Sequence, residues 1–257
     1  MQQPRAILIT GASSGIGEAL ALAYAAPGVF LALLGRDEPR LSAVAEACRK
    51  RGAEVSICAG DVTHGAGLAA FIETVDQRHP LDLVIANAGV SAGTEGGSET
   101  AAQTRRVLSV NIDGVLNTVL PVIPRMVARR RGQIALMSSL AAFRGFPGSP
   151  TYCASKAMIR IWGEALRPEL AASGVEVSVI CPGFVTTRMT AVNQFRMPFL
   201  MSAERAAQII KDGLVRNRAR IVFPRRLYFV VRLLAALPPA LIDPILARLP
   251  RKRAAAG

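Results

Sequence analysis

The stretch that decides the fold is Ala6-Ile7-Leu8-Ile9-Thr10-Gly11-Ala12-Ser13-Ser14-Gly15-Ile16-Gly17. A run of apolar residues with strand character passes directly into three glycines spaced GxxxGxG, and a helical stretch, Gly15–Ala25, follows. A tight strand-to-helix turn needs glycine's access to positive φ, and a backbone that closes on a pyrophosphate needs positions without side chains. The helix start then offers free N–H groups and the positive end of its dipole to phosphate. Gly11, Ser13, Ser14, Gly15, Ile16 and Gly17 are therefore the candidate phosphate cradle. A bare strand-to-helix turn has the same composition, and serines in a loop often meet only water.

Outward from this stretch the chain alternates. Ala6–Thr10, Val29–Leu34, Glu54–Cys58, Leu81–Ala86, Gln133–Met137, Val175–Cys181 and Arg220–Phe223 read as strands. They are rich in Val, Ile and Leu on both faces, as strands buried on two sides of a parallel sheet are. Helical stretches separate them: Gly15–Ala25, Pro39–Arg51, Gly65–Arg78, Ala102–Val127, Tyr152–Ala172 and Ala203–Arg216. Strict alternation implies right-handed βαβ units. The expected fold is α/β: one doubly wound parallel sheet of about seven strands with helices on both faces. Residues 1–223 form that domain, with an irregular insert at 188–201, and residues 224–257 form an extension.

Composition narrows the function classes. The chain has 257 residues, of which 51% are hydrophobic and 19% charged, which excludes intrinsic disorder. The formal charge of +13 is uneven: Arg216–Gly257 holds ten Arg or Lys against Asp243 alone, and the rest of the chain carries only +4. A nucleic-acid-binding body would concentrate positive charge along one groove of the fold, so nucleic acid is not an expected partner. Cys48, Cys58, Cys153 and Cys181 form no CxxC pair, and His64 and His79 stand alone, so no metal site is expected. The cysteines read as reduced, small apolar residues of a cytoplasmic protein. The start, MQQPRAILIT, has no basic stretch before a long apolar run, so no secretory signal is expected. The apolar run Leu233–Ile242 contains two prolines and falls short of the ~20 residues that span a bilayer.

Two further places carry chemistry. The second strand ends in Leu34-Gly35-Arg36-Asp37. A fold selective for NAD places an acid at this strand end for the ribose 2′-OH; here the position is Gly35 and a guanidinium follows. Arg36 can pair a 2′-phosphate in bidentate fashion, which favours NADP(H). Asp37, the competing acid, reads as the cap of the next helix. Tyr152 and Lys156 are four apart and share one face of a helix. An ammonium beside a phenol is expected to lower the tyrosine pKa, which fits it to donate and accept a proton near neutral pH. A Tyr–Lys pair at this spacing is also a common solvated pair on a helix surface.

TGxxxGIG at Thr10–Gly17, Asn87-Ala88-Gly89, Asn111, Ser139, Tyr152-xxx-Lys156 and Pro182-Gly183-Phe184-Val185-Thr186-Thr187 occur in this order. Together they resemble the short-chain dehydrogenase/reductase family, over about residues 5–223. The resemblance implies a Rossmann unit and an NADP(H)-dependent oxidoreductase that moves a hydride between the nicotinamide and a carbonyl or secondary alcohol. It implies that Tyr152 is the acid/base, that Lys156 lowers its pKa and holds the nicotinamide ribose, and that Ser139 rather than Ser138 orients substrate. Asn111 would hold a water that links Lys156 to solvent. Asn87, Ala88 and Gly89 would border the adenine ribose, Asp61 with Val62 the adenine, and Pro182, Gly183, Val185 and Thr187 the nicotinamide, Thr187 on its carboxamide. A homodimer or homotetramer is implied, paired through Ala102–Val127 and Tyr152–Ala172.

The substrate side is less legible. The insert Arg188–Met201 holds three methionines and two phenylalanines, which suit an apolar or lipid-like small molecule but equally a core. Arg188 and Arg196 would meet either an acidic group or water. The extension mixes arginines with bulky apolar residues at 225–234, then a short helical stretch, Ala240–Leu249, precedes Arg251-Lys252-Arg253. It would lie on an anionic membrane or cover the fold or a subunit interface. An alternative function follows from the first of these: a cofactor-binding interaction protein at a membrane surface, its catalysis secondary or lost.

Overall fold

The structure, a computed structural model, describes residues 3–91, 98–193 and 195–248. Seven parallel strands form one sheet in the order β3-β2-β1-β4-β5-β6-β7. They are β1 Ala6–Thr10, β2 Phe30–Gly35, β3 Glu54–Ala59, β4 Leu83–Ala86, β5 Gly132–Met137, β6 Val175–Pro182 and β7 Arg220–Phe223. Every residue of β1, β2, β4 and β5 is buried, as their unbroken apolar character requires. Alternate side chains feed two cores. Ile7, Ile9, Leu31 and Leu33 pack under α1 (Gly15–Tyr24), α2 (Glu38–Arg49) and α9 (Ala203–Val215). Leu8, Ala32, Val84 and Leu136 pack under α3 (Gly65–Arg78), α5 (Gly114–Val119) and α7 (Pro150–Ala171). Truncating one such leucine typically costs about 2–5 kcal/mol.

The order reverses at β1, because the chain leaves β1 for β2 and β3 on one side and returns to β4 on the other. In open α/β sheets a cleft opens at such a switch point, at the carboxyl ends of the strands. The sheet thus sets the site where the glycine turn lies.

One expected helix is not continuous. The stretch 102–127 divides into α4 (Ala101–Leu108), a π-turn at Ser109–Asp113, α5, and α6 (Ile123–Ala128). Gly114 lets this stretch close tightly on the segment after β3, since a β-carbon there would lie 3.0 Å from Val62 Cβ. Residues 101–128 hold an 18-residue stretch long and apolar enough to cross a membrane, yet 44% of that stretch is buried inside the fold.

The insert holds a short helix, α8 (Arg188–Ala191), and is otherwise irregular. In the extension, α10 (Arg225–Ala236) and α11 (Pro239–Leu246) form two helices. Their inner residues, Val231, Ile242 and Leu246, are buried. Tyr228 meets Phe143 edge-on at 5.2 Å, and Arg144 pairs with Asp243 at 3.0 Å. Gln194, Leu249 and Arg251-Lys252-Arg253 lie outside the described residues.

Candidate active site

The cleft at the switch point has a volume of about 760 Å³. Of the residues expected to bind or act, Gly11, Ser13, Ser14, Gly15, Ile16, Arg36, Asp61, Val62, Asn87, Ala88, Gly89, Ser139, Tyr152, Lys156, Pro182, Gly183, Val185 and Thr187 line it. Gly17 and Asn111 do not.

The glycine turn is built for close approach. Gly11 and Gly15 have φ of +68° and +60°, which L side chains rarely adopt. A β-carbon on Gly11 would lie 2.9 Å from Ala88 Cα. Gly17 serves packing instead: its β-carbon would run into the Gly11 carbonyl and reach within 2.7 Å of Asn87 Nδ2. Asn87 braces the turn from β4 by donating to Thr10 O at 2.9 Å and Gly11 O at 3.3 Å. Thr10 Oγ1 accepts from the backbone N–H groups of Asn87 and Ala88 at 3.1 and 3.2 Å. Ser14, at the start of α1, caps no backbone group, so the first-turn N–H groups face the cleft uncapped. A turn that lacks side chains at Gly11 and Gly15, over uncapped N–H groups, fits a pyrophosphate.

Beyond β2, Gly35 packs against Ser13, where a β-carbon would sit 3.0 Å from Ser13 Oγ. Arg36 follows, half exposed and 3.6 Å from Asp61 Oδ2. Burial by itself would raise the Asp61 carboxyl, but hydrogen bonds from Thr63 and the Arg36 charge outweigh it and hold the group below the usual carboxylate range. Asp37 accepts from Arg40 N at 3.0 Å and caps α2, as its position suggested. Its carboxylate also meets the Arg40 guanidinium at 2.6 Å. Arg40 lines the cleft beside Arg36, and sequence reading missed it. The signal was there: a cap accepts from the third residue of its helix, so Asp37 holds Arg40 next to the end of β2.

α7 lies close on the sheet, since Gly163 leaves room for Val179 and Leu136 where a β-carbon would not. This closeness sinks Ser155 and Lys156 and brings Tyr152 to the cleft. Lys156 Nζ donates to Met137 O at 2.9 Å and stands 5.9 Å from the centre of the Tyr152 ring. The Ser139 hydroxyl accepts from Ala141 N at 3.1 Å and lies beside the Tyr152 phenol, whose pKa it acts to lower, while Ser138 donates to Lys156 O at 2.7 Å. Adjacent strand-end residues point oppositely, which separates the two serines.

The expected lowering of the tyrosine pKa is not found. Burial pushes the Tyr152 phenol above its ordinary value, and the Ser139 hydroxyl offsets this only in part. Lys156 cannot reverse it, because burial brings its own ammonium down to about 8. Desolvation penalises both charged forms and exceeds their mutual attraction at this separation.

Asn111 sits in the π-turn, fully buried behind the cleft. It donates to Val90 O and to Ser155 Oγ, both at 3.0 Å, and accepts from Val90 N at 2.8 Å. Ser155 Oγ donates in turn to Tyr152 O at 2.8 Å. Ser155 is a second residue that sequence reading passed over, and it ties the π-turn to α7. Gly89 backs onto this group: its β-carbon would lie 3.1 Å from Lys156 Nζ and 3.2 Å from Asn111 Oδ1. Gly89 therefore belongs beside the lysine as well as the cofactor strip.

On the far wall, Thr187 stands at the start of α8 with its hydroxyl 3.3 Å from Thr190 Oγ1. Its methyl faces Gly15. Arg188 and Met189 line the cleft, whereas Phe195 packs on Phe184 with ring centres 6.0 Å apart. Met201 joins the core, and Phe199 is exposed. The insert thus gives the cleft one methionine among its described residues, and the rest of its apolar side chains serve packing or face solvent.

Known proteins share this sequence family and fold. The short chain dehydrogenase family model matches residues 5–196. An uncharacterized oxidoreductase of Myxococcus xanthus is 39% identical over 95% of this chain and 97% of its own. A short chain dehydrogenase/reductase of Burkholderia phymatum, solved with NAD, superposes with a TM-score of 0.83 at 26% identity and covers 99% of both chains. A short-chain dehydrogenase of Sphingobium yanoikuyae, solved with NADPH, gives 0.79 at 28% identity over 97% of this chain and 98% of that one. Kinship in sequence and in fold extends through the whole α/β unit, and the chain belongs to the short-chain dehydrogenase family of oxidoreductases that act on CH–OH and C=O groups.

Proposed function

We propose that this protein is an NADP(H)-dependent oxidoreductase that interconverts a carbonyl and a secondary alcohol on an apolar small molecule. The observation that carries the reading is the placement of Tyr152, Ser139 and Lys156 on one wall of a cleft whose other end is the glycine turn. NADP(H), when bound, supplies or accepts the hydride at its nicotinamide. The chain's own residues do the rest. Gly11, Ser13, Ser14, Gly15 and Ile16 hold the pyrophosphate, with Gly17 closing the turn beneath it. Arg36 and Arg40 hold the 2′-phosphate; solved relatives carry NAD in one case and NADPH in another, so the choice rests on these residues. Asp61, Val62, Asn87, Ala88 and Gly89 border the adenosine half, and Pro182, Gly183, Val185 and Thr187 the nicotinamide half.

Tyr152 stays protonated at neutral pH because its phenol is raised, so it is poised to give a proton to a carbonyl oxygen in reduction. Ser139, beside the same phenol, orients that oxygen. Lys156 fixes the ribose hydroxyls and adds positive charge below about pH 8. Asn111 and Ser155 position α7 and Val90 around them. Val90, Met137 and Met189 give the substrate end its apolar wall.

The test is a screen of NADPH and NADH oxidation against ketones of increasing chain length. Activity that prefers NADPH and rises with chain length supports the reading. Cofactor binding without turnover of any carbonyl or alcohol would favour the alternative, an interaction protein with lost catalysis.

A further inference from the structure

Among the described residues, the rest of the fold leaves the outer face of the C-terminal helices uncovered. On α10, Phe229, Val230 and Leu233 are 67, 51 and 65% exposed, and on α11 Leu241 and Ile245 are 64 and 56% exposed. Their positions are i, i+1, i+4 on one helix and i, i+4 on the next, so each set shares a face. The opposite residues, Val231, Ile242 and Leu246, are the buried ones, so both helices are anchored and hold their apolar faces outward. Scattered exposed apolar residues need no explanation, but five that share the outer faces of two consecutive helices exceed scatter.

The rim of this patch selects its partner. Arg225, Arg226 and Arg248 are exposed, Arg232 leans over the Phe143 ring at 5.8 Å, and the acid within these helices, Asp243, is paired with Arg144. A second copy of the chain about a two-fold axis would set these arginines against one another, which opposes self-association. An anionic lipid surface accepts both parts: acyl chains take the apolar side chains, and arginines remain among the head groups. We propose that α10 and α11 dock this enzyme on an anionic bilayer surface, with Phe229, Val230, Leu233, Leu241 and Ile245 inserted and the arginines at head-group level. The face lies outside the cofactor cleft, so the docking stands or falls independently of the reaction assigned above.

Flotation of the full-length protein with vesicles tests it. Vesicles of phosphatidylcholine with a third phosphatidylglycerol should capture the protein at low salt, and pure phosphatidylcholine should capture far less. Phe229→Ser/Leu233→Ser/Leu241→Ser should reduce capture at least tenfold with the melting temperature in free solution unchanged, since all three side chains are exposed. Arg225→Ser/Arg226→Ser should weaken it about fivefold per arginine. Three results would each overturn the proposal. One is the absence of capture by anionic vesicles at low salt. Another is capture that the serine triple variant retains in full, which means charge alone. The third is a triple variant whose sedimentation shows a smaller assembly than the parent, which means a second copy covers the face.

Discussion

At the residue scale, the proposed preference for NADP(H) rests on Arg36 and Arg40, which line the cleft beyond β2. Arg36→Ala should weaken NADPH by about 1.5–3 kcal/mol, the range for a hydrogen bond to a charged group, and leave NADH nearly unchanged, as titration of cofactor fluorescence would show. Equal loss for both cofactors would place the 2′-phosphate elsewhere. That Tyr152, Lys156, Ser139 and Arg36 would line one cleft was legible in sequence, because each has a fixed spacing from a recognisable neighbour. Their electrostatics were not. Burial raises Tyr152 and lowers Lys156, and depth in a fold cannot be read from a YxxxK spacing. The raised phenol has a kinetic consequence. Reduction needs the protonated form, so its rate should hold through neutral pH and fall only in alkali. Oxidation needs the phenolate and should rise with pH over the same range, as rates measured in both directions from pH 6 to 11 would show.

At the element scale, the alternation of strands and helices was legible almost residue for residue, because fully buried parallel strands read as unbroken apolar runs. The break in the helix after β4 was not. A π-turn needs only one extra residue per turn and leaves the apolar period nearly intact, so Ser109–Asp113 looks like helix in sequence. The break carries Asn111 inward to Val90 and Ser155, a placement consistent with the frequent use of π-bulges at functional sites. The glycine turn offers the sharper test of an element. Gly17→Ala forces a methyl against the Gly11 carbonyl and Asn87, an overpacking that typically costs about 1–3 kcal/mol. A lowered melting temperature should accompany a loss of NADPH affinity, because the same backbone forms the cradle. An unchanged affinity would mean that the turn does not contact the cofactor.

At the scale of the whole molecule, Leu108, Leu120 and Ile161 expose apolar surface on α4, the end of α5 and α7, the helices expected to pair between subunits. Sedimentation at micromolar concentration should show a dimer or tetramer, and Ile161→Asp should shift it towards the monomer. Alkaline stability follows from buried thiols. Burial raises Cys48 to about 11 and Cys181 to about 12, from an ordinary value near 9. Their folded-state values are raised, so the stability they contribute is present below about pH 9 and lost as pH climbs through 11–12. Lys156, lowered to about 8, acts oppositely between 8 and its ordinary 10.5. The urea midpoint should therefore fall above pH 9, and Cys48→Ala/Cys181→Ala should flatten that fall. The distribution of charge between body and extension was visible in composition, but which face of the extension docks on the fold required Val231, Ile242 and Leu246 to be seen buried. The claim on which the rest depends is that Tyr152 delivers the proton in a hydride-transfer reaction. Single-turnover oxidation of bound NADPH by the best ketone of the screen, followed at 340 nm, tests it directly. Tyr152→Phe should slow that turnover at least about 100-fold while NADPH affinity stays within a few-fold of the parent, and turnover within a few-fold of the parent would contradict the assignment.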